Sequence, residues 1–163
     1  MFQGELIGIY IAEQKQQVLH SVDEVEAVAG RGLAGDRYFL KEGTFSKKDN
    51  PDREVTLVEI ESLDALGQEC AIQMEPGAAR RNLVTRGVPL NHLVGREFTV
   101  GDVVLAGVRL CEPCNHLESL TCKGVQDGLR HRGGLRARIV RGGVLRTGDN
   151  ISSAHCCRTL GSG

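Results

Sequence analysis

Between residues 4 and 11 the apolar side chains Ile7, Ile9 and Ile11 recur at every second position, the period of a strand with one face on a core. Val22, Val25 and Val28 mark a second short apolar segment that ends at Gly30. Residues 54–58 predict a strand, and residues 59–70 set Ile60, Leu63 and Leu66 at helical spacing, closed near Gly67. A short strand follows at 81–85. Residues 97–100 and 103–110 flank Gly101-Asp102 and predict a hairpin. Leu117 and Leu120, three apart, predict a short helix over 115–120. Leu135, Ala137 and Ile139 alternate with Arg136, Arg138 and Val140, giving a strand with an arginine-bearing face; Gly142-Gly143 turns it into residues 144–146, and Gly148-Asp149 turns again.

Six or more short strands, glycine turns between them and one or two short helices argue for a mainly β fold, a β-barrel or curled sheet. The stretch from Gly30 to Arg37 reads as a glycine-rich loop, and the polar stretch 41–53 as a long excursion. With no repeat or linker, the 163 residues are expected to form one domain, frayed over 160–163.

Composition narrows the function. Apolar residues at 40% and charged residues at 25% suit a soluble globular protein. No run is apolar enough to span a membrane and no basic-then-apolar leader opens the chain, so a cytoplasmic protein with mostly reduced cysteines is expected. Tryptophan is absent and aromatics make up 4%, which speaks against stacking on single-stranded nucleic acid. Residues 1–79 hold 7 basic and 15 acidic side chains and residues 80–163 hold 13 and 6, so the second half could attract an anion.

The chemistry centres on Cys111-Glu112-Pro113-Cys114, directly after the apolar run 103–110. A thiol just beyond a strand, with proline before it, is presented rather than buried, and only its thiolate attacks sulfur or binds a soft metal. Three readings stay open: a redox pair, a zinc site recruiting His116, Cys122 or the distant His155, Cys156 and Cys157, or a lone working Cys114 with Cys111 turned inward as a small apolar residue. A module that binds a small anion with no chemistry is a further alternative. Arg80-Arg81-Asn82 would make an anion clamp, since guanidinium forks match phosphate oxygens. The loop around Gly35, Asp36 and Arg37 lacks the fingerprints of nucleotide-binding loops, and its glycines permit a tight turn or close approach to a ligand.

Taken in order, several segments resemble the MOSC family, the carboxy-terminal domain of molybdenum-cofactor sulfurases and its stand-alone bacterial relatives. They are Gly32-Leu33-Ala34-Gly35-Asp36-Arg37, the stretch from Arg53 to Glu61, and Arg80-Arg81-Asn82-Leu83-Val84. Pro89-Leu90-Asn91-His92-Leu93-Val94-Gly95, Pro113-Cys114 and Gly148-Asp149-Asn150-Ile151 follow. The resemblance implies a MOSC-like β-barrel and a reactive Cys114 that carries sulfur as a persulfide or ligates molybdenum. It implies a molybdopterin-type anionic ligand held by Arg80 and Asn82, with Gly35, Asp36 and Arg37 shaping the rim and Glu61 at an acidic position of the stand-alone branch. The 163 residues resemble the MOSC part alone and not the fused desulfurase domain of the sulfurases, so no bound pyridoxal phosphate is expected in them. A cysteine desulfurase or a molybdoenzyme is the expected partner.

Overall fold

The computed structural model describes residues 2–14, 17–37, 39 and 54–154, without the side chains of Asn115 and His116. The excursion expected at 41–53, the tail at 160–163, and His155, Cys156 and Cys157 lie outside the described residues.

Strands β1 (Gln3–Ile11), β2 (His20–Val22), β3 (Glu24–Val28) and β4 (Gly32–Leu33) come first, then β5 (Val55–Glu59), helix α1 (Ile60–Cys70) and β6 (Leu83–Arg86). The hairpin β7 (Glu97–Val100) and β8 (Val103–Leu110) leads into helices α2 (Asn115–Leu120) and α3 (Val125–Gly128). Strands β9 (Leu135–Arg141), β10 (Gly143–Arg146) and β11 (Asn150–Ser153) follow.

Seven strands run in the order β11-β7-β8-β9-β5-β6-β1, and β1 pairs again with β11, so the sheet closes into a barrel; β2 extends from the far end of β1. Closure removes the exposed edges that short strands would otherwise present. One neighbouring pair, β5 and β6, is parallel. Parallel neighbours need a crossover, and α1 supplies it on the outside of the barrel.

Alternation then sorts the side chains. On β9, Leu135, Ala137 and Ile139 are buried inside the barrel, while Arg138 is exposed. On β1 the simple alternation fails. The register shifts between Leu6 and Gly8, and the extra residue turns Leu6 into the barrel with Ile9 and Ile11. Ile7 instead packs against a second apolar cluster outside the barrel, correcting the single face expected for Ile7, Ile9 and Ile11.

That second cluster is built from Val58 of β5, Val84 of β6, Leu63 and Leu66 of α1, and Leu117, Val125 and Leu129. It fixes α1, α2 and α3 on one flank. Three helices, with short 3-10 turns at Pro76–Ala79 and Leu90–Leu93, thus stand where one or two helices were expected. Helix α1 also runs through Gly67 and ends at Ala71, whose backbone is left-handed.

A small sheet ordered β10-β3-β4 sits against the barrel, and its Val25, Ala27, Leu33 and Leu145 join the barrel core. The loop expected between Gly30 and Arg37 therefore contains a strand, because Leu33 is buried and pairs with Ala27.

Candidate functional site

Strand β8 delivers the cysteine segment. Its last pair with β9 is Leu110 with Leu135, and the ladder continues one residue further through the Cys111 N–H, which donates to the Gly134 carbonyl at 2.7 Å. Pro113 then ends the pairing, since it has no N–H to give and its φ is fixed. Cys114, in extended backbone, precedes α2, and its carbonyl accepts from the Glu118 N–H. The two cysteines part company here. Cys111 is 2% exposed and belongs to the interior, whereas the Cys114 side chain is exposed.

The strap 131–134, which leads into β9, holds this segment from one side. The His131 N–H donates to the Glu112 carboxylate at 3.1 Å. Gly133 passes so close that a Cβ there would lie 2.6 Å from the Cys111 carbonyl oxygen and 2.8 Å from Pro113 Cδ. Gly134 combines φ near +122° with an approach to the Leu57 carbonyl that leaves no room for a side chain. Helix α2 is tied to its neighbour because the Glu118 carboxylate accepts from the Gly124 and Gln126 N–H groups, at 2.8 and 3.2 Å.

The Arg80-Arg81-Asn82 triplet is divided by its backbone. Arg80 is left-handed, φ 58°, at the end of the 3-10 turn, and its half-buried side chain donates from Nη1 to the Gln17 carbonyl at 2.7 Å. Arg81 turns inward and is 8% exposed. Its Nε donates to the Gly133 carbonyl at 2.8 Å, its Nη2 to the Cys111 carbonyl at 3.1 Å and its Nη1 to the Ala79 carbonyl at 3.4 Å. Arg81 therefore touches the cysteine segment directly, a contact the sequence reading did not assign. Every residue from Arg81 to Thr85 is buried, so alternation along this stretch carried no signal for it.

Asn82 is fully buried. Its Oδ1 accepts from the Thr56 N–H at 3.1 Å and the Thr56 hydroxyl at 3.2 Å, and its Nδ2 donates to the Tyr10 carbonyl at 3.1 Å. Asp36 and Arg37 are buried too, with Asp36 Oδ1 accepting from the Ala12 N–H and from Arg37 Nη1, both at 3.1 Å. Gly35, φ 87°, makes the preceding turn. The exposed Glu61 accepts from the Gly87 N–H at 2.8 Å, tying α1 to the turn after β6.

Two carboxyl groups, Glu54 and Glu59, are raised above the ordinary range, while the Arg132 hydrogen bond and charge lower Glu69. Burial pushes the Glu54 carboxyl above its ordinary range, opposed by the Ile139 and Gly30 N–H groups that it accepts and by the charge of Arg138. Glu59 is raised by burial and by the neighbouring Glu61 charge, opposed by the Leu90 N–H. Glu54, which the sequence offered only as the opening residue of a strand, thus braces the β3–β4 turn against β9. Among the described residues no group of three or more His, Cys, Asp or Glu side chains is placed to hold a metal ion. Nor is any described helix long and apolar enough to cross a membrane.

The MOSC domain family model matches residues 43–152, most of the chain, and the protein belongs to the MOSC domain family. Among solved structures, the YuaD protein from Bacillus subtilis is 20% identical with a TM-score of 0.74, the match covering 93% of this chain and 97% of that one. YiiM from Geobacillus stearothermophilus is 13% identical with a TM-score of 0.72, over 97% of this chain and 77% of its own. YiiM from Escherichia coli is 16% identical with a TM-score of 0.65, over 95% and 70%. These likenesses establish the fold. No curated protein sequence matches the chain.

Proposed function

We propose that this MOSC protein works through the single thiol of Cys114, carrying sulfur as a persulfide or presenting a thiolate to molybdenum cofactor. The supporting observation is the contrast within one tethered segment: Cys111 is sealed in the interior and Cys114 stands in solvent. A redox pair or a two-cysteine zinc ligand set needs both sulfurs available, and a carrier needs one.

The carrier reading uses this placement for sulfur transfer. The Cys114 thiolate attacks the outer sulfur of a donor persulfide on a cysteine desulfurase. A sulfur–sulfur bond forms at Cys114 as the donor's bond breaks, and the donor thiolate leaves. No net oxidation occurs. The protein's part is to hold the segment 111–114 still and to keep Cys111 from attacking the new persulfide, which its burial does.

In the second form of this proposal Cys114 presents its thiolate to molybdenum cofactor. An exposed thiolate is a soft ligand, and the half-buried Arg80 guanidinium could meet a pterin phosphate. When bound, the cofactor would supply redox and oxygen-transfer chemistry. In this arrangement Asn82, Asp36 and Arg37 support the site through the framework: Asn82 bonds to Thr56 and Tyr10, and Asp36 to Ala12 and Arg37.

The test is to supply a cysteine desulfurase and cysteine, then locate by mass spectrometry the cysteine that gains one sulfur. Gain at Cys114, abolished in Cys114→Ser, is the expected result. Gain confined to Cys156 or Cys157 overturns the carrier reading. Equal, low molybdenum content in wild type and Cys114→Ser after expression with molybdate overturns the ligand reading.

A further inference from the structure

The positive charge of Arg81 is buried, and the structure pairs it with three backbone carbonyls; among the described residues no carboxylate lies within ion-pair distance of it. A buried cation without a counter-charge is costly, and a structural arginine is normally paired. Its contacts are also selective. The fork formed by Nε and Nη2 spans the carbonyls of Gly133 and Cys111, joining the strap 131–134 to the segment that carries the working thiol. The same two stretches meet through the Cys111 N–H on Gly134 and the close passage of Gly133 by Pro113.

We infer that Arg81 is a positioning residue: its guanidinium fork fixes the segment 111–114 so that Cys111 stays sealed and Cys114 stays presented. This rests on the proposed role of Cys114 and adds a residue to it. The planar fork is the reason for arginine. A lysine ammonium is a point donor and cannot hold two carbonyls in one fixed geometry.

The experiment measures two quantities in wild type, Arg81→Lys and Arg81→Ala. One is the ratio of iodoacetamide labelling at Cys114 to that at Cys111; the other is the rate of sulfur loading at Cys114 from a desulfurase. Both variants are expected to admit label at Cys111 and to load sulfur about ten- to a hundredfold more slowly, the range that follows from misplacing a reacting group by about an ångström. Methylguanidinium at concentrations too low to denature should restore Arg81→Ala, and methylammonium should not. A purely structural loss would lower stability in all samples alike without that selective rescue.

Wild-type labelling at Cys111 overturns the clamp, as does Arg81→Lys behaving like wild type in both readouts. Should Arg81→Ala fail to fold, nuclear magnetic resonance of wild type still decides. The Arg81 Nε–H must exchange slowly with solvent, and fast exchange refutes the fork. Failure of wild type to load sulfur counts against the carrier reading alone, because the Cys111 labelling measures the clamp separately.

Discussion

Asn82→Ala separates a framework role from a ligand-binding role at that position. The substitution leaves the N–H of the buried Thr56 without its acceptor and removes the hydrogen bond that Asn82 Nδ2 donates to the Tyr10 carbonyl. An orphaned buried donor costs about 1–3 kcal/mol and a lost ordinary hydrogen bond about 0.5–1.5 kcal/mol, so the variant should be destabilised by roughly 2–4 kcal/mol. For a chain of this size about 2–4 °C accompanies each kcal/mol, which places the fall in Tm at roughly 5–15 °C. Asn82→Asp sharpens the test. It keeps an acceptor for Thr56 but turns a carboxyl oxygen toward the Tyr10 carbonyl, where only the protonated acid can donate. The introduced carboxyl should have a raised pKa in the folded state. It then stabilises below its unfolded value, about 3.9, and loses that contribution as pH rises through the folded value. Melting curves by circular dichroism near pH 4 and pH 7 check this, and Asn82→Asp should lie nearer wild type at the lower pH. Wild-type stability in Asn82→Ala, with a selective loss of ligand binding, would refute the framework reasoning.

Glu54 gives a second pH test. Its carboxyl is raised chiefly by burial, so its contribution is present below the ordinary value of 4.5 and lost as pH rises through the folded value. Urea unfolding should therefore show wild type losing stability relative to Glu54→Gln as pH climbs from 4.5 to 7.5. Glu54→Ala orphans the Gly30 and Ile139 N–H groups and should cost roughly 2–4 kcal/mol at the lower pH, and less at the higher one. Gly133→Ala forces a Cβ against Cys111 and Pro113 and should cost about 1–3 kcal/mol, with new labelling at Cys111 as the local sign. The cysteines should respond oppositely: Cys114→Ser within about 0.5 kcal/mol of wild type but unable to hold sulfur, Cys111→Ser destabilised by about 1–3 kcal/mol yet still loaded.

Local pattern reached the strands well. The alternation on β9 and the hairpin β7–β8 appear where two-residue periodicity put them, because one face of each is buried. It failed at Ile7, where a one-residue bulge moves the side chain to the outer cluster; such a slip depends on partner strands distant in sequence. The order Pro113-Cys114 pointed to the exposed sulfur, and burial of Cys111 was legible from strand continuation. The arginines were harder. Adjacent guanidinium groups look equivalent in a sequence, and a left-handed residue at Arg80 sends one outward and the next inward. Asp36 and Arg37 read as a loop rim for a related reason: both are buried, and both bond to Ala12, a residue after β1 that is distant in sequence.

What makes the cysteine segment specific is therefore non-local. Its backbone is held by the strap 131–134 before β9, by Arg81 two residues before β6 and, through α2, by the helical flank outside the barrel. Because β5 and β6 are parallel, the chain must travel through α1 and the 3-10 turn before it returns at Arg81. That crossover brings an arginine from beside one strand to the end of another, under the segment that β8 extends. Closure of the barrel and presentation of Cys114 are in this sense one event. A destabilised barrel should lose the sealed state of Cys111 before it loses its strands, since the segment hangs on a few side-chain bonds and the strands on continuous ladders.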